Sequence, residues 1–440
     1  MLGHMTPTRL FDITAAPAFD IVVAGAGLAG LTMAKALSVG MPSARIALVM
    51  RERIGSPPAN LDSRAVALSA ASVRMFTGLG IWAVCGHDAQ PVVAIDITDS
   101  SLRAGIRPLL LSYDNSLRDV PTVSPNGDPS STPEAASQII PNAALERALL
   151  AAIVACANVI ILDGTTISSF DAGPNAISIT LAAAGAATRA ITAKLLIAAD
   201  GRRSPLRAMA GIKTTGWPYN QTGITVTVRH DRPHNGRAVQ HFLPGGPFAM
   251  LPLPGDRSNI TWSEDADEAK RLMALDEAAF LDELERRAGG RLGAITLDGP
   301  RQSWPLDMFL ARTFIAPRFA LIADAAHGVH PIAGQGLNLG LRDVAALAEV
   351  LVDAHRCGLD IAHGTTLERY ERWRRFDTVA SAASFDAINR LFSTEGTLRR
   401  AAREVGLGLI DRLPALKSRL VAQAAGTTGD LPRLLRGQPI

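Results

Sequence analysis

Cysteine is scarce in this chain: Cys85, Cys156 and Cys357 are the only three in 440 residues, and they stand far apart. No CxxC pair occurs, and no cysteine lies at metal-ligand spacing from a histidine. That excludes a disulfide framework and a structural zinc site, and it fits a reducing compartment. Long apolar runs are missing as well. The longest, Ala148 to Leu162, is interrupted by Asn158 and falls short of the ~18 residues a membrane span needs. Met1 to Phe19 has no apolar core of the kind that marks a signal peptide. A cytoplasmic location is therefore expected. Charge of one sign is also lacking. The net charge of +3 and the absence of a dense basic block give no footprint for nucleic acid, and no nucleic-acid partner is expected.

What is present is apolar and ordered. With 48% hydrophobic and 19% charged residues, the chain has the composition of a soluble globular protein with a large core. Its length predicts two domains, or one large domain carrying an insertion.

Two stretches carry the chemistry. The β-rich run Asp20 to Ala24 leads into Gly25-Ala26-Gly27-Leu28-Ala29-Gly30 and then into a helical run. This is GxGxxG in its proper setting, with a strand before and a helix after. The first glycine permits the turn, the second admits a pyrophosphate to the backbone, and the third lets helix and strand pack. Some 300 residues on, the strand Ala320 to Ala323 ends on Asp324. The chain then turns through Gly334 and Gly336 into a long helix, Leu337 to Ala354. Unpaired amides and the dipole of such a helix start suit an anionic ligand. The two together predict one dinucleotide site.

A third strand end, Lys194 to Ala199, stops at Asp200-Gly201, and Ser204 with Pro205 starts a helix there. Asp62 and Arg64 in LDSRAVALSAAS precede a small-residue helix start. The second strand, Arg45 to Met50, ends on methionine where an acid should hold the adenosine ribose. Glu52 reaches the ribose only if the strand runs on, so that contact stays unassigned. From Trp217 to Trp304 several strands are separated by Pro/Gly turns, followed by a helix from Ala266 to Gly289. This reads as an antiparallel sheet inserted into a dinucleotide-binding domain. Ser112 to Ser137, rich in Pro, Ser, Asn and Asp, reads as a surface loop.

These segments, GAGLAG, LDSRAVALSAAS, AADGRRSPLR, GPFAMLPLPGDRSNITWS, ADAAHGVHPIAGQGLNLGLRD, YERWRRFD and INRLF, are similar to motifs of one family. The chain resembles the FAD-dependent hydroxylases of ubiquinone biosynthesis, a branch of the group A aromatic hydroxylases with the para-hydroxybenzoate hydroxylase fold. The resemblance spans nearly the whole chain. It implies an α/β protein, α+β overall. A Rossmann-type FAD-binding domain lies in three parts (1–95, 138–215, 305–360), with a mostly antiparallel substrate sheet (96–137 and 216–304) and a helical C-terminal region (361–440).

The implied cofactor is FAD, with NAD(P)H as co-substrate. The implied FAD ligands are Gly25, Ala26, Gly27, Leu28, Ala29 and Gly30; Arg64, Asp200 and Gly201; and Asp324, Pro331, Gly334, Gln335, Gly336, Leu337 and Asn338. In the family Gly precedes the second acid; Ala323 in its place reads as a compact exchange. The implied reaction passes one oxygen atom of O2 from a flavin hydroperoxide to the aromatic ring of a prenylated phenol or quinone precursor. No catalytic side chain is assigned. His327 and His330 lie beside the flavin loop, where structural bonding and help with phenol deprotonation both stay open. Two further readings are a hydroxylase of a soluble aromatic compound on this fold and a non-catalytic flavoprotein component.

From Arg399 the chain carries eight Lys/Arg and three Asp/Glu with recurring leucines. A domain-packing helix and a basic amphipathic helix on the inner face of the cytoplasmic membrane are both open. The resemblance also suggests association with other quinone-biosynthesis proteins.

Overall fold

In the computed structural model, residues 18–55, 62–99, 109–115, 134–243, 245–330, 334–392 and 421–440 are described. Most of the Ser112 to Ser137 loop, Pro331 and most of the basic region after Arg399 lie outside them.

The first sheet runs in the order Ile315–Ala316, Phe319–Leu321, Arg189–Ala198, Ala18–Ala24, Ile46–Val49, Val159–Leu162, and is parallel from Phe319–Leu321 onward. Ile21 to Val23 and Ile46 to Leu48 are fully buried. A strand covered on both faces loses the apolar–polar alternation, and IVVA and IALV read accordingly. Each of the Ile, Val and Leu side chains among them contributes about 1.5–3 kcal/mol by leaving water. The helices Leu28–Gly40 and Gly336–Arg356 pack against the same core.

Two strands expected at Arg189–Ile191 and Lys194–Ala199 are one strand, Arg189–Ala198. Its first half pairs antiparallel with Ile177–Ala183, and its second half pairs parallel with Ala18–Ala24. An unexpected strand, Thr165–Ala172, continues that ribbon. Its TTISSFDA sequence hides the pattern, because Ile167 is the strand's one buried residue and Phe170 stacks on Phe319 at 5.2 Å.

The second sheet has the order His327–Gly328, Gln302–Ala311, Thr214–His230, Arg257–Asp265, Gly246–Leu253, Arg237–Leu243, Ala94–Asp99, Leu109–Asp114. Every pair on this path is antiparallel except Arg237–Leu243 with Ala94–Asp99. One face buries Trp262, Phe248 and Met250 with Phe280, Leu272 and Leu284 of the covering helices. The single helix expected from Ala266 to Gly289 is two, Ala266–Ala274 and Glu277–Ala288. Leu275 is extended, and Asp276 starts the second helix by accepting the Ala279 amide at 2.8 Å.

A three-stranded sheet joins the layers: Ala65–Ser69, Ser137–Pro141 and Gln90–Pro91. The helix start expected directly after Arg64 is therefore preceded by a strand, with the helix at Ala70–Gly78. Val66 and Leu68 alternate inward there, and that period of two decides for strand.

Candidate active site

Four turns converge where the first sheet ends. At the first, Gly25 takes φ +107°, which an L side chain rarely adopts, and a Cβ on it would lie 2.3 Å from the Ala199 carbonyl oxygen. A Cβ on Gly30 would meet the Gly25 carbonyl oxygen at 1.9 Å. These two glycines serve the close approach of strand and helix. Gly27 differs, because nothing lies within 4 Å of a Cβ built on it. It is the N-cap of Leu28–Gly40 and has no capping side chain, so the open side of the turn faces the first-turn amides. Ala26, Leu28 and Ala29 pack half-buried against the core. A helix start of this form suits an anion.

The second turn is Asp200-Gly201, with Gly201 at φ +87°. Ser204 caps the short helix Pro205–Met209 by accepting the Arg207 amide at 2.9 Å. Asp200 Oδ2 accepts the Leu206 amide at 3.2 Å, while Oδ1 is buried without a partner. Burial raises the Asp200 carboxyl above its ordinary value.

At the third turn, Ala323–Ala325, the Asp324 side chain is exposed while Ala323, Ala325 and Ala326 are buried. Ala323 takes φ +52°. Ala in place of Gly here is therefore more than a compact exchange, since the left-handed region costs an L residue about 1–2 kcal/mol. Neighbours hold the conformation. The Ala323 amide donates to Asp343 Oδ2 at 3.0 Å, Arg207 Nη1 donates to the Ala325 carbonyl at 2.8 Å, and the Tyr370 hydroxyl donates to the Leu321 carbonyl at 2.7 Å. Asp343 is fully buried and also meets His327 Nε2 at 2.6 Å and Arg374 Nε at 2.8 Å. Burial by itself would raise the Asp343 carboxyl, but His327 and Arg374 outweigh it and hold it below its ordinary value.

The fourth is the strand-to-helix loop 334–336. Gly334 takes φ +62°, and Gln335 is the N-cap of Gly336–Arg356 without a capping side chain. Leu337 packs into the core. Asn338 is buried with its side chain committed to protein. Oδ1 accepts the Ser69 amide and the Ser72 hydroxyl, each at 2.9 Å, and Nδ2 donates to the Ala67 carbonyl at 2.8 Å. What Asn338 offers a ligand is its backbone.

Arg64 makes a bidentate pair with Asp62, both bonds 2.8 Å, and that pair, with a smaller contribution from the charge of Asp324, raises the Arg64 guanidinium above its ordinary value. Asn142 starts the neighbouring helix Asn142–Val154. Its Nδ2 reaches Asp62 at 3.4 Å and its Oδ1 is buried without a partner. After Val49 the chain keeps pairing with the neighbouring strand end: Met50 N with Leu162 O, Thr165 N with Met50 O, Gly164 N with Glu52 O.

His327 is buried against Asp343, a structural engagement. His330 is buried, its ring edge-on to Tyr219 at 5.1 Å, and burial lowers its pKa to about 4. It is neutral near pH 7. Sequence reasoning missed Asp343, Arg374 and Asn142. Asp343 had a legible signal: it stands four residues from both Leu339 and Leu347, so an acid lies on an apolar helix face.

The residues fit an FAD. There is open space over Gly27, a second helix start without a capping side chain at Gln335, and two buried acceptors lacking donors, Asp200 Oδ1 and Asn142 Oδ1. The hydroxyls of a dinucleotide are donors of the required kind. Among the described residues, no group of His, Cys, Asp and Glu could hold a metal ion.

Comparison with known proteins agrees. Residues 18–382 match the FAD binding domain family. A relative from Rhodospirillum rubrum, ubiquinone hydroxylase UbiL, is 37% identical over 429 residues, 96% of this chain and 93% of that one. The 3-demethoxyubiquinol 3-hydroxylase of Escherichia coli K12 is 29% identical, covering 92% and 98%. The crystal structure of p-nitrophenol 4-monooxygenase PnpA from Pseudomonas putida shares the fold, with a TM-score of 0.75 over 94% of this chain and all of that one at 20% identity.

Fold, site and relatives define an FAD-dependent aromatic-ring monooxygenase with NAD(P)H as co-substrate. The chain belongs to the FAD binding domain family, among its ubiquinone hydroxylases.

Proposed function

We propose that this chain hydroxylates the aromatic ring of a prenylated phenol or quinone precursor in ubiquinone biosynthesis, consuming NAD(P)H and O2. The observation that carries the reading is the end-to-end match to a ubiquinone hydroxylase at 37% identity, which takes in the inserted sheet as well as the cofactor turns. Bound FAD supplies hydride acceptance and oxygen transfer. The protein's part is to bind, orient and exclude water.

In this reading the helix start at Gly27 holds the pyrophosphate, with Gly25 to Gly30 forming the turn. Asp200 and Asn142 accept ligand hydroxyls, and Asp324 takes the ribityl chain. The amides of 334–338 face the flavin ring, where the helix dipole favours negative charge. Arg64 lies beside the ring. Glu52 is the candidate for the adenosine ribose, supported by strand pairing that runs on past Met50.

A lipid-soluble substrate also gives the basic segment after Arg399 a reason to rest on the cytoplasmic membrane face, beside other quinone-biosynthesis proteins. Among the described residues, no helix is long and apolar enough to cross a membrane.

Deleting the gene and profiling quinone intermediates by mass spectrometry tests the substrate reading. An under-hydroxylated prenylated intermediate is expected; an unchanged profile rejects it. Residues 421–440 pack on the domain, with Leu434, Leu435 and Ile440 in its core, so neutralising Arg399, Arg400 and Arg403 in the full chain and co-sedimenting it with anionic vesicles tests the membrane reading, which fails if partitioning is undiminished.

A further inference from the structure

Arg64 ends a loop, its carbonyl accepting the Asn142 amide at 3.0 Å and its amide donating to Asp62 Oδ1 at 2.9 Å. Its side chain is 55% exposed and pairs with the neighbouring Asp62, and a cleft of about 160 Å³ opens beside it. An exposed guanidinium takes its position from its backbone, and here the preceding residue is clamped. The Ser63 amide donates to Gln302 Oε1 at 3.0 Å, and the Ser63 hydroxyl donates to the Pro300 carbonyl and Gln302 Oε1, both at 2.9 Å. The Ser63 carbonyl accepts Asn259 Nδ2 at 2.7 Å and, more weakly, the Thr227 hydroxyl at 3.4 Å. All these partners belong to the inserted sheet or the turn leading into it.

Asn259 is the centre of the clamp. It is 0% exposed in the strand Arg257–Asp265, on the face opposite the core residues Ile260 and Trp262, where its side-chain partners are Thr225, Thr227 and Thr261. Its Oδ1 accepts hydroxyls from Thr261 at 3.0 Å and Thr225 at 3.3 Å, which orients Nδ2 toward Ser63 and Thr227. A buried amide is costly unless satisfied, and the shortest of its bonds, Nδ2 to the Ser63 carbonyl, exists only while the Arg64 loop is docked.

We propose that Asn259 is a positioning residue for the flavin site: by holding the Ser63 carbonyl it sets where Arg64 stands. The sheet thereby fixes one wall of a cofactor site that the first sheet otherwise builds. The inference rests on the reading of Arg64 as a flavin-facing residue.

The test uses the full chain reconstituted with FAD, comparing Asn259→Ala, Arg64→Ala and the double variant by FAD dissociation constant, visible flavin spectrum and midpoint potential. Circular dichroism and thermal unfolding report folding separately. Loss of one buried hydrogen bond corresponds to roughly five- to tenfold, so Asn259→Ala is expected to weaken FAD binding by that factor and to shift the spectrum. In the Arg64→Ala background the same change is expected to add less than about twofold, because its effect runs through Arg64. If Asn259→Ala does not fold, Thr227→Val removes one donor to the same carbonyl at little change in shape, and a smaller shift of the same kind is expected.

Full additivity in the double variant, or an Asn259 variant identical to wild type while Arg64→Ala differs, overturns the proposal. If Arg64→Ala itself leaves binding, spectrum and potential unchanged, the reading of Arg64 fails, and the proposal falls with it.

Discussion

The methyl group of Ala323 occupies the notch left by Gly340: a Cβ on Gly340 would lie 2.6 Å from the Ala323 Cβ. The turn bearing Asp324 and the helix Gly336–Arg356 are thus fitted across a gap that admits one methyl group but not two.

Gly340→Ala gains helix propensity of about 1 kcal/mol but meets an overpacking cost of about 1–3 kcal/mol. A net loss of about 1 kcal/mol is expected in urea unfolding. Ala323→Gly on top of it removes the 2.6 Å contact and the left-handed strain, leaving an approach of 3.2 Å to the Cα of residue 323. The double variant should therefore regain wild-type stability, and an additive pair of losses would refute the fit.

The glycines of GAGLAG should separate by phenotype. Gly27→Ala meets no atom within 4 Å, so stability is expected to stay within about 1 kcal/mol while FAD retention falls at least tenfold. Gly25→Ala and Gly30→Ala drive a Cβ into backbone and are expected to lose about 2 kcal/mol or more before any ligand is added. Thermal unfolding without FAD, followed by FAD titration, distinguishes the two classes.

Asp343→Asn leaves Arg374 buried with half its compensation. Breaking such a pair costs about 3–5 kcal/mol, and the turn that presents Asp324 loses its carboxylate acceptor. Reduced FAD content at purification and a lowered denaturation midpoint are expected together. A stable, fully flavinated variant would show that the turn needs no such support.

Stability should fall in two acid steps of the same sign. His330 has its pKa lowered from 6.5 to about 4, so the unfolded chain binds its proton first, and stability is lost as pH falls through that window. The loss is roughly 2–4 kcal/mol. Asp343 is depressed below 3.8, so its contribution is present above that value and goes only at lower pH. His330→Gln should lessen the dependence between pH 6.5 and 4, where the lowered His230 still acts with the same sign, and leave the lower step intact, which denaturation at several pH values will show.

The parts of this protein that sequence alone settled are those where cause and effect lie within a few residues. Gly25 turns the chain immediately after its own strand, and the buried runs IVVA and IALV announce a doubly covered sheet through their own lack of alternation. Ser204 and Pro205 announce a helix start in the same local way. Near misses arose where a local signal was shared between partners. Arg189–Ala198 looked like two strands because it serves two pairings, and AVALS looked like a helix start until Ser137–Pro141 was seen beside it.

Tertiary structure decided the rest, because the deciding contact spans a long stretch of chain. Nothing local to Ala323 reveals its left-handed backbone, which Asp343, Arg207 and Gly340 hold from other elements. Asn338 reads as a ligand residue in its motif, yet its side chain is spent on Ala67, Ser69 and Ser72. Ser63 looks like a spacer between Asp62 and Arg64 until Asn259 is found against its carbonyl. Short-range stereochemistry is written in the order of residues. Which buried polar group satisfies which is settled only when the sheets close on one another, since an unpaired donor or acceptor is costly only once water has left.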